Sequence, residues 1–422
     1  MILDKFTIEF PDANLLTVAE PNEFKAAAQP EALLHKALEK PVYEDGRAGQ
    51  NLTDFLKGAK RALAIINDAT RPTPTAAMLE AILPAVEKAG IEEQNLTLIV
   101  ATGAHRAPSE EEYRQILGPH YQRLRGRCAH HDAKDDGAMR YLGDTRNGTP
   151  IFLNKKLFEA DRIIVTGSVE PHYFAGFTGG RKAFLPGIAS YKTIEANHRQ
   201  ALSPRARSLA LEGNPVHEDM MDALSFIKIP IFSLMTVLDK EYRVAAAAAG
   251  DIMASFYAAV ETARKIFCVK VPARADIVIS VAKFPMDIDL YQSQKAIDNG
   301  ALALKDGGTL ILVSSCRKGI GDEAYANLLA QAESPRDALE KISAGYKLGY
   351  HKAAKMAEVS ARARIKAVTD LPAQRLKSMF IESVPTPQKA LDQALKDARE
   401  QGIAVPKILI LPDGCVTVPD PE

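Results

Sequence analysis

The sequence predicts an α/β fold with two domains, each built on a mostly parallel sheet. Its 422 residues are more than one hydrophobic core usually holds, because cores stop growing near ~250–300 residues. Short apolar runs alternate with amphipathic segments along the chain, which is the strand-then-helix order of parallel sheets. Unusual polar motifs follow several of the apolar runs, and ligands of such folds bind beyond the carboxyl ends of strands.

Length and hydrophobic periodicity separate the predicted strands from the predicted helices. We predict strands at Ala62–Ile66, Leu96–Ala101, Arg162–Thr166, Ile231–Leu238, Asp276–Val281, Thr309–Val313 and Lys407–Leu411. We predict helices at Thr75–Ala89, Glu110–Leu117, Ile252–Phe267, Asp322–Gln331, Pro335–Ala344 and Pro387–Glu400. A change of pattern after Phe267 predicts an N-terminal domain of residues 1–270 and a C-terminal α/β domain of residues 271–422.

Composition excludes several classes of protein. The chain has 53 basic and 53 acidic residues, so its net charge does not favour nucleic acid or a membrane surface. Its four cysteines are scattered without a CxxC pair, which argues against a zinc ribbon or a disulfide framework. The first ten residues lack the order of a signal peptide, and no apolar run approaches the ~20 residues of a membrane span. We therefore expect a cytoplasmic protein that binds neither nucleic acid nor a membrane.

Two polar motifs follow the first two predicted strands. Residues 67–74, NDATRPTP, combine helix-capping side chains with Arg71, whose guanidinium suits a phosphate or a carboxylate. The helix that follows offers free N–H groups to an anion, although a capped turn with a surface arginine has the same pattern. His105 lies in the motif Thr102-Gly103-Ala104-His105-Arg106. It can be an acid/base group or a hydrogen-bonded structural residue, and the motif alone favours neither.

A glycine-rich segment, residues 167–187, follows the third strand and carries His172 and Lys182. It differs from a phosphate-binding loop, because one residue separates Gly180 from Lys182 and Ala183 stands where Ser or Thr would hold magnesium. Lys182 is therefore a candidate for covalent attachment or an anion-binding lysine in a flexible loop. His198 can ligate a metal if a cofactor supplies the other donors; otherwise it is a structural or exposed histidine.

A further polar motif lies in the second predicted domain. Gln292 and Lys295 are three residues apart, so they share one face if the segment is helical. An amide donor and an ammonium together can hold a carboxylate, although a solvated helix start has the same pattern. The sequence Cys128-Ala129-His130-His131-Asp132 looks like a metal site, but its adjacent histidines point apart, so we interpret it as a structural or surface segment.

In order and spacing, these motifs resemble those of the nickel-dependent lactate racemase family. The resemblance covers nearly the whole chain and depends on the combination of motifs rather than on any one of them. The segments that carry it are Asp68-Ala69-Thr70-Arg71-Pro72, Thr102-Gly103-Ala104-His105-Arg106, Glu170-Pro171-His172-Tyr173-Phe174-Ala175-Gly176, Gly179-Gly180-Arg181-Lys182, Asn197-His198 and Tyr291-Gln292-Ser293-Gln294-Lys295.

The resemblance implies a nickel-pincer nucleotide, a pyridinium mononucleotide whose two thio-acid arms and ring carbon bind nickel. It implies that Lys182 tethers this cofactor covalently and that His198 is the remaining nickel ligand. It implies that His105 and His172 are the catalytic acid/base pair. The other implied contacts are to the nucleotide, from Asp68, Ala69, Thr70 and Arg71, and to the substrate, from Arg71, Tyr291, Gln292 and Lys295.

The implied activity is that of an isomerase that inverts a small 2-hydroxy acid, lactate or a related acid. The resemblance implies reversible hydride transfer through a 2-keto acid, an active site in the cleft between the domains, and possible partner proteins that make and load the cofactor. The N-terminal domain would bind the cofactor and catalyse, and the C-terminal domain would contact the substrate carboxylate.

Two other functions are open to the sequence. A nicotinamide-dependent 2-hydroxy acid dehydrogenase would need a GxGxxG turn after a strand with an acidic residue ~20 positions on, and the sequence has no such arrangement. A non-catalytic carrier of the nickel nucleotide would need Lys182 and His198 but not the two histidines and the carboxylate pair.

Overall fold

The computed structural model describes residues 2–3, 6–24, 29–43 and 49–421. The chain divides into two compact units. We call Phe24–Ile266 the central unit, and Met1–Glu23 together with Phe267–Glu422 the terminal unit. Among the described residues, no helix has both the length and the apolar character needed to cross a membrane.

The strands in chain order are β1 (Ile2–Leu3), β2 (Phe6–Thr7), β3 (Leu15–Val18), β4 (Ala62–Asn67), β5 (Leu96–Ala101), β6 (Cys128–His130), β7 (Met139–Asp144), β8 (Pro150–Asn154), β9 (Arg162–Ser168), β10 (Pro171–His172), β11 (Gly176–Phe177), β12 (Ile231–Leu238), β13 (Val244–Gly250), β14 (Cys268–Val271), β15 (Ala275–Val281), β16 (Leu304–Val313), β17 (Arg364–Val368), β18 (Ile381–Ser383), β19 (Ile408–Leu411) and β20 (Val418–Pro421).

The α-helices in chain order are α1 (Pro30–Glu39), α2 (Leu52–Leu56), α3 (Thr75–Lys88), α4 (Glu110–Leu117), α5 (Tyr121–Leu124), α6 (Tyr191–Arg199), α7 (Pro215–Ser225), α8 (Ile252–Phe267), α9 (Leu290–Gly300), α10 (Glu323–Ala330), α11 (Pro335–Ala344), α12 (Tyr350–Arg362), α13 (Ala373–Lys377) and α14 (Pro387–Glu400).

The central unit contains a six-stranded sheet of order β13-β12-β9-β4-β5-β6. Its strands are parallel except for β13, which pairs antiparallel with β12. The inner strand β4 is buried on both faces, as parallel strands covered by helices usually are. On one face its residues Ala62, Ala64 and Ile66 join a core with apolar side chains of α1 to α4.

The terminal unit contains a second six-stranded sheet, of order β18-β17-β16-β15-β19-β3, in which every pair is parallel. Its core combines alternate residues of β15 and β16 with Ala390, Leu391 and Ala394 of α14. Strand β3 comes from the start of the chain and pairs with β19 at the edge of this sheet. For this reason residues up to Glu23 group with the terminal unit, whereas we predicted them in a domain of residues 1–270.

The structure contains every strand and helix that we predicted, most with ends within two residues, and two parallel sheets as expected. Strand β16 is the main exception, because it begins five residues before the predicted Thr309. Strand β13 was not predicted, because its sequence VAAAAAG is rich in alanine, which favours helix. Its pairing with the buried β12 overrides that preference.

Candidate active site

The polar loops of the central unit follow three neighbouring strands. Strand β4 lies between β5 and β9 in the sheet, and all three run parallel. Asp68 follows β4, the loop with His105 follows β5, and the glycine-rich segment follows β9. The carboxyl ends of parallel strands share one edge of the sheet, so these loops meet where ligands of such folds bind.

Asp68 and His105 form a close pair at this edge. The Nδ1 atom of His105 lies 2.7 Å from Oδ2 of Asp68, and Oδ1 of Asp68 accepts hydrogen bonds from the hydroxyl (2.6 Å) and backbone N–H (3.2 Å) of Thr70. Burial acts to raise the pKa of Asp68, but the hydrogen bonds from His105 and Thr70 outweigh it, and the pKa is lowered. Asp68 therefore stays ionised and orients His105, whose side chain is 53% exposed.

The loop after β4 also carries the predicted nucleotide-binding residues. Ala69 and Thr70 are exposed, and the Arg71 guanidinium lies 3.8 Å from a carboxylate oxygen of Glu170 in the segment after β9. Helix α3 begins after this loop without a side-chain cap. The N–H of Thr75 donates to the carbonyl of Thr73, so an anion such as a phosphate would bind the N–H groups of the next residues in the first turn.

Two adjacent glycines form a turn in the segment after β9. Gly179 and Gly180 have φ of 82° and 53°, a region that residues with a Cβ rarely adopt. A Cβ on Gly179 would also lie 2.6 Å from Cγ2 of Val169. This turn leads directly into Arg181 and Lys182, which lie in a short 3-10 turn, Gly180–Ala183.

Arg181 is completely buried. Its guanidinium donates hydrogen bonds to Nδ1 of His217 at 3.0 Å and to the backbone carbonyls of Gly179 (3.2 Å) and Ala175 (2.8 Å). It also lies over the ring of Phe256. Burial lowers the pKa of Arg181 to about 9, and burial together with Arg181 lowers the pKa of His217 to about 3. His217 is thus a neutral acceptor for a buried cation.

The sequence analysis assigned no role to Arg181 or to His217. Arginine is rarely buried completely, and nothing in the local pattern marks this one as an exception. Arg181 lies between the glycine pair Gly179-Gly180 and the predicted attachment site Lys182. This position is the signal in the sequence that could have marked it as functional.

His172 and Lys182 are in direct contact. The Lys182 amine, Nζ, lies 3.2 Å from Nε2 of His172. On the other side of the ring, Nδ1 accepts hydrogen bonds from the backbone N–H groups of Ala175 (3.3 Å) and Phe174 (3.5 Å). Burial and the neighbouring Arg71 and Arg181 hold the pKa of Lys182 well below its usual range. Burial, Lys182 and Arg71 do the same to the pKa of His172.

Phe174 brings His198 to the same place. Its ring centroid lies 4.5 Å from that of His172, 5.0 Å from that of His198 and 5.4 Å from the Lys182 amine. His198 is buried on α6. The amide of the preceding Asn197 donates to a carboxylate oxygen of Asp219 on α7 at 2.9 Å, which fixes the helix that presents His198.

The predicted carboxylate contacts lie in the terminal unit, on α9. The carboxylate of Asp289 accepts a hydrogen bond from the backbone N–H of Gln292 and caps this helix. Gln292 and Lys295 therefore share a helical face, as predicted. The Lys352 amine lies 3.8 Å from the ring centroid of Tyr291. Burial lowers the pKa of Lys352 to about 8.

The segment Cys128–Asp132 combines buried and exposed residues, which agrees with our interpretation of it as structural or surface. Cys128 is buried in β6, and the ring of His131 bonds to the carbonyl of Ala189 and to Asn154. In the described ranges, no group of three or more His, Cys, Asp or Glu side chains could hold a metal ion without other donors.

Family models and named relatives match nearly the whole chain. A family model of the lactate racemase N-terminal domain matches residues 3–208, and a model of the lactate racemase C-terminal domain matches residues 270–418. The lactate racemase of Thermoanaerobacterium thermosaccharolyticum is 30% identical over 97% of this chain and 96% of its own length. That of Lactiplantibacillus plantarum is 31% identical over 90% of this chain and 89% of its own length.

Solved structures show the same fold. The lactate racemase apoprotein from T. thermosaccharolyticum superposes with a TM-score of 0.88 at 29% identity, covering 98% of this chain and 97% of that one. A Thermotoga maritima protein shares the fold with a TM-score of 0.63 at 18% identity, over 91% of this chain and 99% of its own. The fold and the relatives thus define an isomerase of the racemase class. The chain belongs to the lactate racemase family.

Proposed function

We propose that this protein inverts a 2-hydroxy acid, lactate or a close relative, with a nickel-pincer nucleotide attached to Lys182. The observation that carries the proposal is the grouping of Lys182, His172 and His198 around Phe174 in a chain of the lactate racemase family. An attachment point, an acid/base group and a metal-binding imidazole are the functions that this cofactor requires of the protein.

The residues present fit that cofactor. Imidazole suits nickel, and one protein ligand is enough when the cofactor supplies the other donors. His198 and Lys182 lie against the same aromatic ring. The loop from Asp68 to Arg71 and the uncapped start of α3 would hold the nucleotide and its phosphate. When bound, the group would supply an electron-poor ring that accepts the Cα hydrogen as hydride and returns it.

His105 would exchange the proton of the substrate hydroxyl for one enantiomer. The carboxylate of Asp68 fixes Nδ1 of His105, so Nε2 is the atom left for proton transfer. The same carboxylate stabilises the protonated ring that forms when Nε2 accepts the proton.

His172 would serve the other enantiomer. Backbone N–H groups hold its Nδ1 atom, so its Nε2 atom is again the one available for proton transfer. In this region Lys182 would carry the cofactor as an uncharged amide-type linkage, which removes the nearest amine that could become a cation.

Arg71, Tyr291, Gln292 and Lys295 would bind the substrate. Guanidinium and ammonium groups form charge-assisted hydrogen bonds with a carboxylate, and an amide adds a directional donor. Holding the carboxylate keeps the flat 2-keto acid in place until it is reduced on its other face. We expect separate proteins to make and load the cofactor.

Intact-mass analysis tests the attachment. The protein is produced with and without the enzymes of cofactor synthesis, as wild type, Lys182→Ala and the control Lys88→Ala, which replaces an exposed lysine of α3. We expect a covalent adduct and one nickel per chain in wild type and in the Lys88 variant, and neither in Lys182→Ala. An adduct in all three proteins would refute the tether.

Single-enantiomer 2-hydroxy acids test the activity. We expect the loaded wild-type protein to convert D- and L-lactate, or a related pair, to the same equal mixture. Loaded protein that inverts no member of a panel of short, long, aromatic and sugar-derived 2-hydroxy acids would contradict the proposed function.

A further inference from the structure

We propose that Lys182 of the cofactor-free protein is a selective acylation site that takes an acyl group from an acyl thioester, with His172 and Arg181 as its positioning residues. The inference deepens the proposed function, because the same amine would form the tether. It requires no nickel and no nucleotide, so it can be tested separately.

The hydrogen bonds of His172 define the state of the amine. Its Nδ1 atom accepts from backbone N–H groups, and a neutral imidazole that accepts at one nitrogen carries its proton on the other. Nε2 is therefore a donor, and the group 3.2 Å from it is the Lys182 nitrogen. An ammonium has no lone pair to accept this bond, so the contact requires Lys182 to be an unprotonated amine.

Arg181 supports this arrangement through the backbone. Its guanidinium donates to the carbonyl of Ala175 at 2.8 Å, and the N–H of Ala175 donates to Nδ1 of His172 at 3.3 Å. Arg181 thus fixes the residue that orients the ring, and the ring orients the amine. The anchor is firm, because Arg181 is completely buried and also bonds to His217 and to the carbonyl of Gly179.

The charges around the amine act in the same direction. Arg71, from the loop after β4, and the adjacent Arg181 both disfavour an ammonium at Lys182, whereas Glu170 favours it more weakly. Glu170 itself faces Arg71 at 3.8 Å. In the part of the chain that the structure describes, no carboxylate lies within ion-pair distance of the Lys182 amine. His172 from β10, Tyr173 and His198 from α6 are titratable residues whose rings pack around Phe174.

The acylation needs no other reactant. The Lys182 nitrogen attacks the thioester carbonyl, a C–N bond forms, and the C–S bond breaks with its electron pair leaving on sulfur. The proton lost by the nitrogen goes to the thiolate, so an amide and a thiol are the products. Lys182 is only half-buried, so a small thioester can reach it.

The test uses cofactor-free protein and S-acetyl-N-acetylcysteamine as the probe. Peptide mass spectrometry follows the acetylation of Lys182 and of the exposed Lys88 in the same sample between pH 6 and 10. We expect Lys182 to react at least about tenfold faster than Lys88 at pH 7.5 in wild type, since an ordinary lysine has a pKa near ~10.4. Equal rates, or labelling of Lys182 only near pH 10, would overturn the proposal.

Variants separate positioning from charge. His172→Phe removes the donor but keeps a ring, and we expect the labelling profile of Lys182 to move to higher pH by about one unit or more. Arg181→Lys keeps a cation but loses the guanidinium fork that bonds to the carbonyls of Gly179 and Ala175. Arg181→Met removes both the hydrogen bonds and the charge. Labelling at the wild-type rate and pH in both His172→Phe and Arg181→Lys would refute their positioning roles.

Folding and loading controls complete the test. Circular dichroism and melting temperature show which Arg181 variants fold, and the His172 variant decides the outcome if they do not. Wild-type protein acetylated at Lys182 should no longer gain the cofactor adduct. Selective acetylation without any adduct in loaded protein would refute the proposed function alone, and an adduct without selective acetylation would refute only this inference.

Discussion

The two histidines proposed for proton transfer lie in opposite electrostatic surroundings. His105 is about half exposed, and its Nδ1 atom faces the carboxylate of Asp68. His172 is held by backbone N–H groups and faces Lys182, with Arg71 and Arg181 nearby. One ring is therefore supported by an anion and the other is surrounded by groups that disfavour its charged form.

The two histidines are therefore held by different groups. In the cofactor-free protein, the carboxylate of Asp68 contacts Nδ1 of His105 and orients its ring. Around His172, by contrast, burial, Lys182 and Arg71 hold the pKa of the ring well below its usual range.

The largest expected effect comes from replacing either histidine. In loaded protein, His105→Gln and His172→Gln should each lower the rate of racemisation by about 10²–10⁴-fold, the usual contribution of a general acid/base group. Both variants should keep the covalent adduct, which intact mass will show. His35→Gln, on the exposed face of α1, is the matched control and should not change the rate.

Trapping of the 2-keto acid with a hydrazine shows which enantiomer each histidine variant still oxidises. Each variant keeps one histidine, so each should still release 2-keto acid from one enantiomer, and the preferred enantiomer should differ between the two variants. The same preference in both variants would contradict the assignment of one histidine to each enantiomer.

The next largest effect is expected for Asp68→Asn. The amide cannot stabilise a charged His105 and can favour the wrong tautomer, so we expect kcat/KM to fall by about 10–100-fold, as for other groups that orient a functional imidazole. Since hydrogen bonds lower the pKa of Asp68, its support of the fold persists above its unfolded pKa near ~3.9 and is lost only as the pH falls through the lower folded value.

The pH profile of kcat/KM checks the Asp68 prediction. The wild type should show no step from Asp68 between pH 5 and 8, because the carboxylate is ionised throughout that range. An unchanged kcat/KM in Asp68→Asn would mean either that His105 is not catalytic or that the Asp68 carboxylate does not support it.

Local patterns in the sequence were sufficient to predict much of the fold but not all of it. Strands such as β5 and helices such as α4 have clear apolar periodicity, and their predicted ends agree with the structure. Helix α12 was not predicted, because it buries Lys352 and Lys355. Lysines at buried positions interrupt the apolar periodicity by which an amphipathic helix is recognised in a sequence. Tertiary contacts, rather than local pattern, decide such elements.

The sequence named candidate site residues but not the contacts that the structure shows between them. The motifs identified Asp68, His105, His172 and Lys182, yet no spacing indicates that Asp68 bonds to a histidine 37 positions away. That contact depends on the order β5-β4-β9 within the sheet. Nor could the sequence show that the arginine next to Lys182 is completely buried.

A smaller effect, on stability, tests the His172 side of the comparison. A lysine with a lowered folded pKa binds fewer protons folded than unfolded, so stability rises with pH between the folded pKa and the unfolded value near ~10.4. Lys182→Met removes this dependence. Its melting temperature relative to cofactor-free wild type should therefore fall as the pH is raised from 7 to 9.5, by at least about 2–4 °C, the shift that ~1 kcal/mol produces in a unit of this size.

The control for this measurement is Lys88→Met, which removes an exposed lysine and should show no change relative to wild type over the same pH range. A Lys182→Met protein whose melting temperature follows that of wild type at every pH would mean that the Lys182 amine is protonated like an ordinary lysine.

The smallest expected effect comes from removing one hydrogen bond to the carboxylate that orients His105. The Thr70 hydroxyl donates to Oδ1 of Asp68 at 2.6 Å, and the Thr70 backbone N–H keeps a second hydrogen bond to the same oxygen. Thr70→Val removes only the hydroxyl. One hydrogen bond from an exposed hydroxyl contributes roughly 0.5–1.5 kcal/mol, so kcat should fall about two- to tenfold, with the adduct unchanged. Thr70→Ser restores the hydroxyl and should recover the rate. If Thr70→Ser is as slow as Thr70→Val, the threonine acts through its methyl group or through the loop, and the hydroxyl does not support the Asp68–His105 pair.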